Sequence, residues 1–356
     1  MIQYLKIEGL NGNYAPLEFN FNNDLNLFTG LNGCGKTTIL KILWFANSGN
    51  IANMLHEVIF DTIELRTNRY YVIFIKDKEK VIVKWKTEDE RAERKDIIPL
   101  PNIDEPIWRR REYTGMNFLY EYCDSSIFFP TFRRIEGGFS MDDYRLRRTS
   151  FSLKDALSNL SNELSTPKHQ FVASISTDDI TTLVNREYSS IVREINDLQR
   201  RQFEEIRQRI KNKNEQNSNE ILKEIESKIK KVEEDSGEKL MPFNVLSDLI
   251  KRIFCKKGIE MDAIVFDNGQ NVISSDKLSA GEKQMLSFLC YNTFSKNKII
   301  FIDEPELSLH PDWQRLLIPT LLRQNNNNQF FIATHSPFIY ASYPDKEIIL
   351  NNDKGE

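Results

Sequence analysis

The sequence predicts an α/β fold with mixed β-sheets and an inserted helical hairpin. The short strand expected at 25–29 is followed by a glycine-rich loop and a helical pattern, and the apolar runs 299–302 and 329–334 read as further strands that end in polar residues. Residues 57–85 alternate in polarity around a charged turn, which is typical of an antiparallel β-hairpin. Residues 180–232 carry apolar side chains at spacings of three, four and seven, which is typical of amphipathic helices.

The composition is that of a globular chain, because 40% of the 356 residues are hydrophobic and the formal net charge is −4. This charge excludes a protein that coats DNA through bulk positive charge, but it leaves room for a local basic groove. Four single cysteines, with no C-x-x-C pair, argue against a zinc cluster or a disulfide framework and favour a reducing compartment. The sequence shows neither a signal peptide nor an apolar run of the ~18 residues that a membrane span needs, so we expect a cytoplasmic protein with no membrane partner.

The first strand–loop–helix unit contains the most informative motif. After strands expected at 2–7, 17–21 and 25–29, residues 30–37 read G-L-N-G-C-G-K-T and fit the pattern G-x-x-x-x-G-K-[ST] at every fixed position. Glycines let successive backbone N–H groups point at phosphate oxygens, and the start of the following helix, 38–45, adds partial positive charge. The residues assigned to nucleotide binding here are Asn32, Gly33, Cys34, Gly35, Lys36, Thr37 and Thr38.

Two side chains of this motif have specific expected roles. Lys36 should reach the β- and γ-phosphates of a nucleotide, and the hydroxyl of Thr37 should ligate Mg²⁺. The alternative is a chance glycine turn. The lysine, the threonine and both flanking elements all fit the pattern, which favours the phosphate-binding loop.

The residues between the first helix and the hairpin give weaker signals. Residues 86–102 are charged and end in prolines, so we expect a surface loop. The apolar run 126–129 is consistent with a buried strand. Arginines cluster through 109–148. Such clusters usually form a solvated face, and the alternative is a patch that binds DNA, a partner protein or nucleotide phosphates.

Two apolar stripes, 180–210 and 221–232, are separated by polar, turn-prone residues at 211–219. This pattern predicts an antiparallel helical hairpin, or short coiled coil, whose first arm reaches roughly 45–50 Å at 1.5 Å per residue. The alternative is two ordinary surface helices packed on the core. Residues 235–237 should end the inserted hairpin. The expected domains are 1–177, the N-terminal part with the phosphate-binding loop and an antiparallel β subdomain, 178–236, the hairpin, and 237–356, the C-terminal part.

Three further motifs follow in the C-terminal part. Residues 278–284 read L-S-A-G-E-K-Q and bring a serine, a glycine and a helix start together, which predicts a second anion-binding terminus. The strand 299–302 leads into Asp303 and Glu304. The first acid can hold Mg²⁺ through water, and the second can orient and deprotonate an attacking water. His335 also follows an apolar strand, where a sensor of the γ-phosphate would lie, although a lone histidine is more often structural.

In this order the four motifs resemble the ABC-type ATPases of the SMC, RecF and OLD group, over residues 1–60 and 259–350. The resemblance implies an ABC-type ATPase head, with ATP and Mg²⁺ as cofactors. It implies that Asp303 supports the metal together with Thr37, that Glu304 is the catalytic base and that His335 is the catalytic switch. The set of nucleotide-binding residues then also includes Ser279, Gly281 and Glu282 of the signature.

The same resemblance implies an assembly. Ser279 and Gly281 would contact the γ-phosphate of an ATP held by a second subunit, and residues 306–310 would cross the interface. A signature far from its own P-loop cannot close a site alone in this family. Two subunits would therefore pack head to tail around two ATP molecules, as a homodimer or within a higher oligomer. Hydrolysis would open the dimer, and the hairpin would report the change to a partner.

One family feature has no counterpart here, namely a glutamine that contacts Mg²⁺ and the attacking water. No glutamine occurs between Gln3 and Gln170, and Gln170 itself is not assigned. The strand 126–129 ends in the corresponding place but offers Thr131 and Arg133. The missing glutamine favours slow hydrolysis.

The biological role is inferred from the same resemblance. OLD-type nucleases carry a nuclease domain after the ATPase; this chain ends soon after residue 350, so we expect no nuclease within it. The compact ATPase, with F-P-T-F-R-R at 129–134, is similar to the ATPase subunits of phage-defence systems, such as the PtuA-like proteins of Septu and retron systems and the AriA-like proteins of PARIS. We therefore expect a sensor and regulator of a separate nuclease or toxin. The alternatives are a RecF- or SMC-like DNA repair ATPase, with DNA on the 109–148 region, and a scaffold that holds ATP with negligible turnover.

Overall fold

The computed structural model describes residues 1–13, 15–77, 80–88, 92–99, 122–131, 134–135, 153–211, 218–253, 278–324 and 326–350. The chain divides into two compact units. The first contains Met1–Ile175, Ser295–Pro319 and Asn325–Glu356, and the second contains Ser176–Phe294 and Thr320–Gln324. The predicted division into three domains, with boundaries after residues 177 and 236, stays a prediction. Most of the arginine-rich 109–148 region, Arg133 and the hairpin tip at 212–217 lie outside the described residues.

An antiparallel sheet of six strands forms one layer of the first unit. Its strands, in spatial order, are β2 (Leu17–Asn20), β1 (Ile2–Glu8), β4 (Thr62–Thr67), β5 (Tyr70–Lys76), β6 (Lys80–Thr87) and β7 (Arg94–Pro99). β5 and β6 pair antiparallel and bury alternate side chains, which confirms the predicted hairpin. The loop expected at 86–102 is wrong over β7, because this strand pairs with β6 at the sheet edge, where charged side chains are tolerated.

A second sheet of six strands is parallel throughout. Its strands, in spatial order, are β10 (His169–Phe171), β8 (Ser126–Phe129), β12 (Ile299–Asp303), β13 (Gln329–Ala333), β3 (Leu25–Thr29) and β14 (Glu347–Ile349). The four inner strands are buried at every position, as expected of a parallel sheet covered on both faces. Because all strands run in one direction, the loops that follow them meet at one edge.

The helix that follows the phosphate-binding loop packs against this sheet through aromatic rings. Helix α1 (Lys36–Ser48) carries Trp44, whose ring centroid lies 5.4 Å from that of Phe128 on β8. The row continues across the sheet from Phe128 to Phe301 at 6.1 Å and from Phe301 to Phe331 at 5.3 Å. Such ring contacts add stability beyond the apolar area that they bury. The row therefore fixes α1 relative to strands β8, β12 and β13.

The remaining elements of the first unit connect or flank these layers. They are α2 (Ile51–Glu57), β9 (Arg134–Ile135), α3 (Leu153–Leu164), β11 (Ser174–Ile175), α8 (Pro337–Tyr340) and a 3₁₀ turn at Pro344–Lys346.

The described residues of the second unit are mostly helical. They form α4 (Thr177–Lys211), α5 (Ser218–Ile253) and α6 (Ala280–Thr293), and α7 (Pro311–Arg323) is the next described helix along the chain. Ion pairs join Glu194 to Lys239 and Glu205 to Lys228, so residues further along α4 meet residues earlier in α5, as in an antiparallel hairpin. The described arms of the predicted hairpin are therefore confirmed. The stop expected at 235–237 is wrong, because α5 continues to Ile253 and buries Phe243, Leu246 and Ile250 beyond that point.

The predicted fold class, α/β with an inserted helical hairpin, is confirmed, although the parallel and antiparallel pairings lie in separate sheets. Among the described residues, none of the helices combines the length and the apolar character required to cross a bilayer.

Candidate nucleotide-binding site

The loop between β3 and α1 has the backbone of an anion-binding loop. Gly33 and Gly35 adopt φ angles of 79° and 98°, which residues with a Cβ rarely adopt. No atom lies within 4 Å of the place where a Cβ would stand on either glycine, so their role is conformational rather than steric. No side chain caps the first N–H groups of α1. These N–H groups are therefore available to phosphate oxygens.

Lys36 is folded back over this loop. Its ammonium donates hydrogen bonds to the carbonyl oxygens of Gly30 at 2.9 Å and Leu31 at 3.0 Å, and the side chain is 5% exposed. Nδ1 of His335 lies 3.5 Å from the same ammonium. An ammonium only donates, so this contact is a hydrogen bond only when Nδ1 accepts and the ring proton lies on Nε2. The side chains of Lys36 and His335 are thus in contact beside the phosphate-binding loop.

Asp303 ends β12 with both carboxylate oxygens engaged. The hydroxyl of Thr37 donates to Oδ1 at 3.1 Å, and the hydroxyl of Thr131 donates to Oδ2. Hard oxygen donors of this kind are what Mg²⁺ prefers, usually one or two carboxylates together with phosphate oxygens and water. Within the described residues no group of three or more His, Cys, Asp or Glu side chains could hold a metal ion. The donors present thus fit Mg²⁺ held jointly with a nucleotide, by Thr37 and Asp303.

Glu304 adopts an unusual backbone conformation beside this carboxylate. Its φ is 47°, in the left-handed region, and its N–H donates to the carbonyl oxygen of Ala333 at 2.8 Å. A non-glycine residue held in this region typically costs about 1–3 kcal/mol and tends to occur where function requires it. Oε1 of Glu304 lies 3.9 Å from Nε2 of His335.

Burial and neighbouring carboxylates shift the pKa of the Glu304 side chain. Burial, followed by the charges of Asp303 and Glu306, raises the pKa of Glu304 above its ordinary value, and His335 and Lys36 oppose this rise. A raised pKa makes a carboxylate a stronger base. A raised pKa of this kind suits a general base, and the catalytic role of Glu304 stays a prediction.

The loop that carries His335 is held by residues with no catalytic role assigned from the sequence. Oε1 of Glu306 accepts the backbone N–H of His335 at 2.6 Å, and its Oε2 accepts the hydroxyl of Thr334 at 2.9 Å. The hydroxyl of Ser336 donates to Oε1 of Gln314 at 2.5 Å. The sequence placed Glu306 only in an interface loop and gave no signal for Gln314, since both contacts join segments that are distant in sequence.

The signature residues lie in the second unit. Ser279 caps α6: its hydroxyl accepts the N–H of Glu282 at 3.3 Å, and its own N–H donates to Oε2 of Glu282 at 2.7 Å. Gly281 is buried in the first turn of the same helix. The cap thus engages the side chains of Ser279 and Glu282. Their contact with nucleotide stays a prediction.

The structure brings together five of the residues expected from the sequence, each after a strand of the parallel sheet or at the end of one. They are Lys36, Thr37, Asp303, Glu304 and His335. The family model of the AAA ATPase domain matches residues 1–340.

The chain belongs to this family of ATPases.

Among curated proteins, this ATPase is similar over part of its length to two retron ATPases and to an endonuclease. The retron Vc95 probable ATPase of Vibrio cholerae serotype O1 biovar El Tor is 30% identical over 106 residues, which are 26% of this chain and 20% of that protein. The retron Ec83 probable ATPase of Escherichia coli is 31% identical over 100 residues, 24% of this chain and 18% of that protein. Endonuclease GajA of Bacillus cereus (strain VD045) is 36% identical over 75 residues, 19% of this chain and 13% of that protein.

These matches confirm the predicted resemblance to ATPases of phage-defence systems, over about a fifth or less of each relative's length. Among solved structures, the Smc head domain of Pyrococcus furiosus bound to the C-terminal domain of ScpA aligns over 96% of this chain and 91% of that chain, with 16% identity and a TM-score of 0.39. The recombination mediator protein RecF aligns over 95% of this chain and 94% of that chain, with 12% identity and a TM-score of 0.34.

Proposed function

We propose that this chain binds ATP with Mg²⁺ and hydrolyses it slowly, between two copies packed head to tail, in order to regulate a separate effector in anti-phage defence. The observation that carries the ATP chemistry is the convergence of Lys36, Thr37, Asp303, Glu304 and His335 at one sheet edge. The family of the chain supports the same chemistry.

Each side chain has a defined part in this proposal. The loop N–H groups and the Lys36 ammonium bind the β- and γ-phosphates, and Thr37 and Asp303 hold Mg²⁺, which neutralises charge that develops on the phosphates. Glu304 orients a water molecule towards the γ-phosphorus and takes its proton as the bond to ADP breaks. His335, between Lys36 and Glu304, donates from Nε2 towards the γ-phosphate.

A second copy is proposed to complete the site. Three large apolar side chains close in sequence to the site residues are exposed: Leu31 at 43%, Leu307 at 45% and Phe338 at 40%. Exposed apolar side chains around a polar site are typical of a surface that another protein covers. The start of α6 from the partner, with its Ser279 and Gly281, would meet the γ-phosphate, so ATP would hold the two chains together.

The regulatory role is supported by the relatives, two of which are retron ATPases and one an endonuclease. Opening of the dimer after hydrolysis would move the helices α4 and α5, and this movement would release or hold the effector.

Nucleotide binding is tested with Lys36→Ala. We expect ATP affinity to fall tenfold or more, because charge-assisted hydrogen bonds contribute about 1.5–3 kcal/mol each. Lys41→Ala is the matched control, since Lys41 lies on the same helix, pairs with Glu57 at the surface and should leave affinity unchanged. Equal affinity of Lys36→Ala and the native chain in titration calorimetry would contradict the site.

Assembly is tested with Glu304→Gln, which keeps the shape of the side chain and removes the base. With ATP and Mg²⁺ this variant should form dimers in light scattering, and the double variant with Lys36→Ala should stay monomeric. A Glu304→Gln chain that stays monomeric with bound ATP would refute the proposed head-to-tail dimer.

The effector is sought by co-expression with the adjacent reading frame and phage challenge. ATP-dependent DNA binding with a clear salt slope, and no such effector, would instead indicate DNA repair.

A further inference from the structure

The carboxylate of Asp303 lies between two hydroxyl groups that come from different parts of the chain. Thr37 donates to Oδ1 from the start of α1, and Thr131 donates to Oδ2 from the loop after β8. Thr131 and Asp303 are 172 positions apart in sequence. Asp303 itself is 1% exposed, so the direction of its carboxylate is set by the groups around it and not by solvent.

Strand pairing explains why Thr131 reaches this carboxylate. β8 and β12 are parallel neighbours, and Phe129, the last residue of β8, is in register with Ile302. Asp303 follows Ile302 directly, and Thr131 comes two residues after Phe129. All four residues of β8 are buried, and Phe128 takes part in the aromatic row described above. The buried strand β8 therefore anchors the start of the loop in which Thr131 lies.

We propose that Thr131 is a positioning residue for Mg²⁺. By holding Oδ2, it fixes the rotation of the Asp303 carboxylate so that Oδ1 faces Thr37 and the phosphate-binding loop. Because a carboxylate only accepts, the Thr131 hydroxyl donates its proton to Asp303. Its oxygen can still accept a hydrogen bond from a water molecule bound to the metal. This inference rests on the proposed ATP and Mg²⁺ chemistry. It gives a local reason why a chain with no glutamine between Gln3 and Gln170 can still build a metal site.

Groups that orient a metal ligand typically change metal affinity 10- to 100-fold when they are removed. The test compares Thr131→Val, which keeps the branched shape without the hydroxyl, with Thr131→Ser, which keeps the hydroxyl. The first readout is the Mg²⁺ concentration that half-saturates binding of a fluorescent ATP analogue. The second is the electron paramagnetic resonance signal of Mn²⁺ bound to the protein–ATP complex.

We expect Thr131→Val to raise the half-saturating Mg²⁺ concentration roughly tenfold. Its nucleotide affinity in EDTA should equal that of the native chain, and Thr131→Ser should behave as the native chain does. Turnover of Thr131→Val should fall at limiting Mg²⁺ and recover at saturating Mg²⁺. Should Thr131→Val fail to fold, Thr131→Ala replaces it in the same comparison.

An unchanged Mg²⁺ requirement in Thr131→Val would overturn the inference. A loss of nucleotide affinity in EDTA equal to the loss with Mg²⁺ would also overturn it, because the residue would then be structural only. A native chain that binds no nucleotide under either condition would refute the proposed function itself, together with the inference, and is therefore a distinguishable result.

Discussion

Glu306 binds the loop of His335 through both of its carboxylate oxygens, at 2.6 Å to the backbone N–H of His335 and at 2.9 Å to the hydroxyl of Thr334. The two strands that precede these loops, β12 and β13, are paired neighbours. A residue that follows the proposed base by two positions thus sets the place of the proposed switch histidine. We therefore expect movement of the loop after β12 to be coupled to movement of His335.

This coupling predicts the behaviour of Glu306→Ala. The variant loses two hydrogen bonds to a carboxylate, each worth about 1.5–3 kcal/mol to a charged group. ATP turnover should fall while ATP affinity changes little, because Lys36 and the loop N–H groups are untouched. Turnover and binding are measured separately. Glu306→Gln is the control, since its amide oxygen still accepts one of the two bonds and should restore part of the turnover. Equal turnover of Glu306→Ala and the native chain would contradict the coupling.

The backbone of Glu304 supports a second prediction. At a φ of 47° a glycine relieves strain that glutamate and glutamine both carry. Glu304→Gly and Glu304→Gln should both abolish hydrolysis. The free energy of unfolding of the glycine variant should exceed that of the glutamine variant by about 1 kcal/mol. Chemical denaturation of the two nucleotide-free variants measures this difference. A glycine variant that is no more stable than the glutamine variant would show that the conformation stores no strain.

A third prediction concerns a buried cluster formed by Cys123, Ser126 of β8 and His169 of β10. Nδ1 of His169 lies 2.8 Å from the hydroxyl of Ser126, and Nε2 lies 3.2 Å from Sγ of Cys123. Burial, together with Lys168 and Lys298, lowers the pKa of His169 from 6.5 to about 3, and burial raises the pKa of Cys123 to about 11. Both groups are therefore neutral in the folded protein at neutral pH.

The sign of the pH effect follows from the lowered pKa. Between pH 6.5 and about 3 the unfolded chain binds a proton at this histidine that the folded chain does not bind, so stability is present above pH 6.5 and is lost as the pH falls. From pH 7.5 to 5.0 the loss should be about 2 kcal/mol, at about 1.4 kcal/mol per pH unit below 6.5. Urea denaturation at the two pH values measures it.

The matched variants separate this histidine from other titrating groups. His169→Gln should lose most of this pH dependence and be less stable at pH 7.5, where the native cluster is intact. His310→Gln, at a side chain that is 72% exposed, should keep the pH dependence of the native chain. The same pH dependence in His169→Gln and the native chain would show that His169 does not carry the effect.

Local sequence patterns were sufficient for the parts of the site that follow apolar strands. Alternation predicted β3 and apolar runs predicted β12 and β13, and the chemistry-bearing residues lie at the ends of these strands or in the segments that follow them. The strand β7 was missed because an edge strand can carry charges in place of a clear alternation.

Contacts between segments that are distant in the chain could not be predicted from local sequence patterns. The hydrogen bond from Thr131 to Asp303 depends on the parallel register of β8 and β12, which no local pattern encodes. The burial of His169 gave no signal either, since it stands between Lys168 and Gln170. Helix α5 passes through Gly237 and Pro242 because apolar residues further along are buried, which outweighs the local preference of glycine and proline.

The uncapped start of α1 has a consequence for the lifetime of the protein in a cell. A ligand that binds only the folded chain raises the free energy of unfolding, by about 2.7 kcal/mol when its concentration is a hundred times its dissociation constant. Nucleotide on these N–H groups would thus contribute a sizeable fraction of the typical stability of a folded domain, about 5–15 kcal/mol. When a cell loses its ATP, this chain would unfold more often and be degraded sooner, so that its abundance would follow the energy state of the cell.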